Sequence, residues 1–253
     1  MKKLVLIIIG LFAVSEGFGW GATGHRATGL VAEQYLSAKA KKRIKQILNG
    51  ESLAMVSTWM DEIRSDSTYN YTTDWHWTTI PDGGLYEDVE SNLDGKVVMM
   101  IEKFTQELKA GKLTPKQEQE YLKMLIHMVG DMHQPLHVGK PGDRGGNDVK
   151  VKWFRSESNL HRVWDSEMID DTKLSYTELA QSLGTPDKET IKKWQSTGVR
   201  DWAMESVSYR PQVYDIGNSN LGYQYSYKYF SIAKTRMLQA GVRLAGLLNQ
   251  IYG

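Results

Sequence analysis

The chain has 253 residues, 31 Lys and Arg against 30 Asp and Glu, a formal net charge of +1, and no cysteine. That length is enough to bury a large core, and a near-neutral charge gives no bulk attraction to nucleic acid or membrane. Without Cys there are no disulfides and no thiolate metal sites, so any ligand chemistry falls to His, Asp, Glu and backbone.

The opening MKKLVLIIIGLFAVSEGFG reads as a secretory signal over residues 1–19: Lys2 and Lys3 form the basic end, Leu4 to Val14 the apolar run, and Gly17 and Gly19 the small residues before cleavage. The run is short for a bilayer span. Removal of Lys2, Lys3 and Glu16 brings the formal charge to 0. The expectation is a secreted or periplasmic monomer, residues 20–253, with no membrane anchor after cleavage and Trp20 at its new N-terminus.

From Trp20 onward the pattern is helical almost throughout. Leu30, Val31, Ala32, Tyr35, Leu36, Ile44, Ile47 and Leu48 recur at helical spacing up to Asn49-Gly50. Val97, Val98, Ile101, Phe104 and Leu108 repeat this before Gly111, and Tyr121, Leu125, Met128 and Val129 before Pro135. A last stripe runs from Ala233 through Met237, Gly241, Leu244 and Leu248 to Ile251. Such stripes read as packing surfaces. PDGG, GKPGDRGGND and GNSNLG mark loops, and short strands are expected only around 75–79 and 149–154. The fold class is therefore all-α, a single mostly helical domain with at most short strands.

The six histidines carry the chemistry. His127 and Asp131 in LIHMVGDMHQPLH stand four apart, as do His161 and Asp165 in NLHRVWD, a spacing that puts both members of each pair on one helix face. Pro135 stops the first helix, so His137 can return from the loop. In STWMDEIR, Asp61 and Arg64 stand three apart. Taken singly, each His and Asp pair fits a surface pair or a capped core histidine as readily as a metal site. Two such pairs together, with a trailing His137 and apolar neighbours, favour zinc held by imidazole and carboxylate. Cleavage before Trp20 in WGATGH would create an α-amine that a metal can deprotonate near neutral pH, with the carbonyl of the same residue closing a chelate and His25 within reach. A Trp20 that merely packs is the other reading, and the sequence leaves both open.

WGATGH, STWMDEIR, DWHWTTIP, HMVGDMHQPLHVG, DRGGNDVKV and NLHRVWD occur in the order seen in the zinc-dependent type I nucleases, and the chain resembles that family from Trp20 to RLAGLLN. The family shares its fold with zinc phospholipase C. The resemblance implies three Zn²⁺ ions: one on Asp61, His76, His127 and Asp131, a second on the Trp20 amine and carbonyl, His25 and the bridging Asp131, and a third on His137, His161 and Asp165. His133 is left a supporting role. The implied reaction is hydrolysis of single-stranded DNA and RNA, and of 3′-nucleotides, by a hydroxide bridging the paired ions, giving 5′-phosphate products. Asp61, Asp131 and Arg64 are the implied catalytic groups, Arg64 taking the phosphate oxygens in the transition state.

Trp77, Thr79 and Asn147 are the implied substrate-binding residues. Fungal members carry an aromatic after the histidine ligand and a carboxylate or amide two residues on. Trp77 keeps the stacking surface, but Thr79 stands at the second position and lacks a bidentate edge. Asn147 supports the site through hydrogen bonds or simply closes a turn, and Lys150 and Lys152 read as solvated. The alternatives are a zinc phospholipase C, in which Glu is expected at the place of Asp165, and an exported zinc-binding module without turnover, which gives Arg64 no purpose.

Overall fold

The computed structural model describes residues 19–91 and 94–253, so the expected signal segment lies, apart from Gly19, outside the described residues. Helix α1 (Ala22–Gln34) is followed by α2 (Ala38–Ile47). The apolar pattern ran unbroken here, but Ser37 splits it: its side chain accepts the Ala40 N–H and caps α2. Asn49 and Gly50 then take positive φ, as the stop signal implied.

Two short helices, α3 (Leu53–Val56) and α4 (Trp59–Glu62), lead into 3₁₀ segments at Ile63–Ser65 and Ser67–Trp75. Strand β1 covers only Thr78–Thr79, so Trp75, expected in a strand, is helical instead. After α5 (Tyr86–Val89) come α6 (Val97–Ala110), ended by Gly111 in the left-handed region, and α7 (Pro115–His133). Thr114 and Gln117 form a capping box at the start of α7 and Pro115 occupies its first turn. From Met124 to His133 every residue of α7 is buried, so polar side chains there must be paired or liganded.

A 3₁₀ turn (Pro135–His137) runs into β2 (Val138–Gly139), which pairs in parallel with β1. Strands β3 (Lys150–Trp153) and β4 (Ser156–Asn159) form a hairpin whose two turn residues, Phe154 and Arg155, both have positive φ. The hairpin delivers Asn159, whose side chain caps α8 (Leu160–Arg162). A π-helical turn (Val163–Glu167) continues into α9 (Met168–Asp170). Helices α10 (Tyr176–Ser182), α11 (Lys188–Gln195), α12 (Val199–Ser208) and α13 (Arg210–Val213) follow, then β5 (Asn220–Leu221) beside β3, and finally α14 (Tyr223–Tyr252). Strands β2, β4 and β5 were not anticipated; β2 and β5 are two residues each, too short to leave an alternating pattern.

Two apolar bodies make up the interior. One gathers α2, α6, α7 and the end of α14; the other packs Trp20, Trp164 and the sheet against α10 and the start of α14. Helices α1 and α14 contribute to both. Two buried cations of α14, Arg236 and Arg243, lock α14 to α7 and α12. Both bind Glu205, at 2.8 and 2.6 Å, and both reach His133, Arg236 through the His133 carbonyl and Arg243 at 3.1 Å from Nε2. His133 also donates through Nδ1 to the Val129 carbonyl. The supporting role expected of His133 is thus structural.

Partial burial pushes the Glu205 carboxyl up, but Arg243 and Arg236 outweigh it and hold Glu205 below the ordinary 4.5. A depressed carboxyl stabilises the fold above its unfolded value and loses that contribution as pH falls through the folded value. Glu205→Gln should therefore lower stability at pH 7 by about 1 to 2 kcal/mol, because two buried guanidinium groups lose a counter-charge that solvent partly screens. The difference from the natural sequence should shrink below about pH 4.5, a window that urea unfolding at pH 7 and pH 3.5 would measure.

Candidate metal centre

Asp131 sits wholly buried on α7 with three imidazoles around it. Its Oδ1 is 3.1 Å from His25 Nε2, and its Oδ2 is 3.0 Å from His76 Nδ1 and 3.2 Å from His127 Nε2. His25 comes from α1, His76 from the end of the 3₁₀ segment before β1, and His127 from one turn earlier on α7. Asp61 of α4 lies 3.7 Å from His127 Nε2. Asp61, His76 and His127 can place ligand atoms within 4.8 Å of one another, and so can His25, His127 and Asp131.

A third group stands beside these. His161 Nε2 is 3.0 Å from Asp165 Oδ2 and His137 Nε2 is 3.8 Å from Asp165 Oδ1. The expected four-residue spacing of His161 and Asp165 is realised across a π turn, a local irregularity frequent at functional sites.

The imidazoles are aimed by backbone carbonyls. His127, His137 and His161 each donate through Nδ1 at 2.7 Å, to Ser57, His76 and Gly145 respectively, leaving Nε2 turned toward the carboxylates. Metal-binding histidines are held in the same way. Gln134, which the sequence reading passed over, donates at 2.6 Å to Asp165 Oδ1 and accepts the Leu136 N–H. Its one signal was a polar residue wedged between candidate ligands.

Charge follows this geometry. Burial disfavours the charged form of His127, but Asp131 and Asp61 raise it to about 9. Burial also opposes the Asp131 charge, yet His127, His25 and His76 hold it well below the usual carboxylate range. Burial keeps His25 and His137 low, so these two are neutral donors at pH 7, whereas Asp165 raises His161 against its burial.

Several buried atoms of the cluster lack a well-formed hydrogen bond: both ring nitrogens of His25, Asp61 Oδ1, Asp131 Oδ1, His161 Nε2 and Asp165 Oδ2. Buried polar atoms are rarely left so. A set of imidazole and carboxylate atoms converging without well-formed hydrogen bonds is what a bound cation would satisfy, and the donor types suit zinc.

Trp20 is fully buried in the second apolar body, and its backbone leads straight into the cluster. Its amide is joined to Gly19, whose N–H donates at 2.6 Å to His137 Nε2. A Cβ on Gly19 would overlap Asp131 Oδ1 and lie 2.6 Å from His25 Nε2. Gly19 therefore runs through the space between the three ligand groups.

The remaining expected residues lie at the rim. Arg64 is exposed on the 3₁₀ turn directly after α4. Trp77, Thr79 and Asn147 line one cavity of about 290 Å³ whose wall also includes His137 and His161. Asn147 donates its amide to the Arg144 carbonyl within its own loop, which is a turn-closing bond, while still facing the cavity. Asp94 joins that wall without having been anticipated, since an Asp-Gly turn carries no signal of a distant partner.

A family model described as S1/P1 Nuclease matches residues 20–253. Among curated relatives, Endonuclease 3 of Arabidopsis thaliana is 30% identical over 98% of this chain and 94% of its own length. Nuclease P1 of Penicillium citrinum is 28% identical over 92% and 98%, and Nuclease S1 of Aspergillus oryzae 24% identical over 99% and 98%.

Gly130 offers a test of the cluster from within α7. A Cβ there would stand 2.7 Å from His25 Nδ1, although the position is helical. Gly130→Ala gains about 1 kcal/mol in helix propensity, a gain opposed by crowding against the buried His25 ring, so the helical signal should persist. It should nonetheless push His25 from Asp131 and reduce the metal held per chain, measured by elemental analysis after Zn²⁺ loading and desalting alongside circular dichroism.

Proposed function

The chain belongs to the S1/P1 nuclease family, and on that premise we propose that it is an exported zinc-dependent nuclease. It cleaves single-stranded DNA and RNA to 5′-phosphorylated products, removes phosphate from 3′-nucleotides, and acts as a monomer. No described helix is long and apolar enough to cross a membrane. The observation that carries the reading is the convergence of buried His and Asp groups whose ligand atoms lie within 4.8 Å.

Asp61, His76, His127 and Asp131 would hold one zinc ion. His25 and Asp131, with the amine and carbonyl of Trp20, would hold a second, and His137, His161 and Asp165 a third. Bound there, zinc supplies Lewis acidity and a water acidic enough to attack phosphorus near neutral pH.

The chain's own side chains do the rest. Asp131 offers one oxygen toward His25 and the other toward His76 and His127, an arrangement suited to bridging. Arg64 carries a permanent planar cation on the turn after Asp61, where it would meet the equatorial oxygens of the phosphate as charge develops. Trp77 stacks a base, and Thr79 and Asn147 border the same cavity.

The position of Gly19 supports cleavage before Trp20. In the uncut chain the Trp20 nitrogen is an amide and a poor ligand, and Gly19 occupies the space among the imidazoles. Cutting the peptide bond would free the amine and clear that space in one step, so export and metal loading would be coupled.

The test uses protein beginning at Trp20, supplied with Zn²⁺ and offered single-stranded DNA, RNA and phosphatidylcholine, each with and without chelator. Chelator-sensitive release of 5′-nucleotides is expected. Protein beginning at Gly19 should turn over slower by roughly 100-fold and bind less zinc. Head-group release with nucleic acid intact would replace the nuclease reading by a phospholipase, and inactivity on all three would leave a metal-binding module. Equal rates from the two N-termini would remove the terminal amine from the ligand set.

A further inference from the structure

The cavity beside His137 and His161 has an edge whose hydrogen-bonding character is fixed by a contact absent from any sequence pattern. Asp94, 15 residues beyond Thr79, is bound to it twice: the Thr79 N–H donates to the Asp94 carbonyl at 2.8 Å, and the Thr79 hydroxyl donates to Asp94 Oδ2 at 2.9 Å. The residues after Asp94 are fastened along the same segment. Val97 N–H donates to the Trp77 carbonyl at 3.1 Å and Lys96 N–H to the Asp74 carbonyl at 2.7 Å. Gly95 lies so close to Trp77 that a Cβ would overlap the Trp77 carbonyl. The Asp94 carboxylate is therefore held in place at the cavity wall beside the Trp77 ring.

The donor count matters. The Thr79 hydroxyl proton is committed to Asp94, so Thr79 presents lone pairs, and a carboxylate has acceptor sites remaining after one bond. Asn147 commits one of its two amide N–H donors to the Arg144 carbonyl. The Asp94 and Thr79 edge is thus an acceptor edge next to an aromatic face. An unpaired base stacked on Trp77 would turn its Watson–Crick edge toward such groups.

We propose that Asp94, held by Thr79, selects the base bound in this cavity, and that the base it selects is guanine. Guanine carries two adjacent donors on that edge, N1–H and the 2-amino group, which match the two oxygens of a carboxylate. Adenine and cytosine set one amino group beside a ring acceptor, and uracil and thymine set one N–H between two carbonyls. Each of these turns a lone pair toward the carboxylate and is disfavoured. The proposal rests on the nuclease reading for its substrate class, but the recognition itself is a property of the cavity.

The test compares guanosine and inosine 5′-monophosphate, which differ only in the 2-amino group, by calorimetric titration into the zinc-supplemented protein. Asp94→Asn is the informative variant: Asp94 is exposed, so the fold is spared, and the amide oxygen can still accept from Thr79. The natural sequence should bind guanosine monophosphate about tenfold more tightly than inosine monophosphate. In Asp94→Asn that ratio should fall to about twofold or less, with adenosine monophosphate not weakened. Equal binding of the two nucleotides by the natural sequence, or a ratio that survives in Asp94→Asn, would overturn the proposal. Hydrolysis of the matching dinucleotides is measured in parallel. Selective binding without any hydrolysis leaves base selection standing and removes the nuclease reading instead.

Discussion

A buried carboxylate cannot stand alone, and the architecture follows from how Asp131 is answered. It has no exposure to water and is ringed by His25, His76 and His127 at 3.0 to 3.2 Å. Burying a charge in this way costs several kcal/mol unless partners compensate. Three separate parts of the chain must meet on one turn of α7 to supply them: the first helix, the segment before β1, and α7 itself. Against its own burial, the His127 imidazole is held charged by Asp131 and Asp61, and that imidazolium provides the compensation. A cation bound by the same imidazole would displace its proton, so metal uptake would be linked to proton release at this residue.

The rest of the molecule keeps that meeting point rigid. Arg210, almost fully buried, donates to the Val138 and Ile80 carbonyls at 2.9 and 2.7 Å and binds β1 to β2. Those strands begin two residues after His76 and one after His137. The His76 carbonyl in turn accepts from His137 Nδ1, so one backbone segment supplies a side chain to one ligand group and an acceptor to another. On the far side of α7, Arg236 and Arg243 of α14 grip the helix end through His133, with Glu205 as their shared counter-charge. Paired buried cations give little net stability compared with apolar packing, but their geometry fixes where α7 stops.

Much of this was legible in the sequence for physical reasons. The apolar stripes of α6, α7 and α14, the stops at Asn49-Gly50 and Gly111, and the His and Asp spacing on α7 all follow from helix periodicity and turn chemistry. What escaped depends on contacts distant along the chain. The split between α1 and α2 hangs on one serine cap, and the two-residue strands exist only because Arg210 and their neighbours complete them. The pairing of His161 with Asp165 across a π turn keeps the spacing while changing the winding. The Asp94 and Thr79 contact joins residues 15 apart with α5 between them, so a pocket edge left without a carboxylate by the sequence pattern has one.

The decisive question is whether the three ligand groups around Asp131 and Asp165 hold ions. The direct measurement is crystallographic: anomalous diffraction at the zinc edge from protein beginning at Trp20, grown with Zn²⁺. Three peaks are expected, two of them sharing Asp131 and with the Trp20 nitrogen on one, and the third between His137, His161 and Asp165. A map with no peaks at these side chains would contradict a metal-binding role for them.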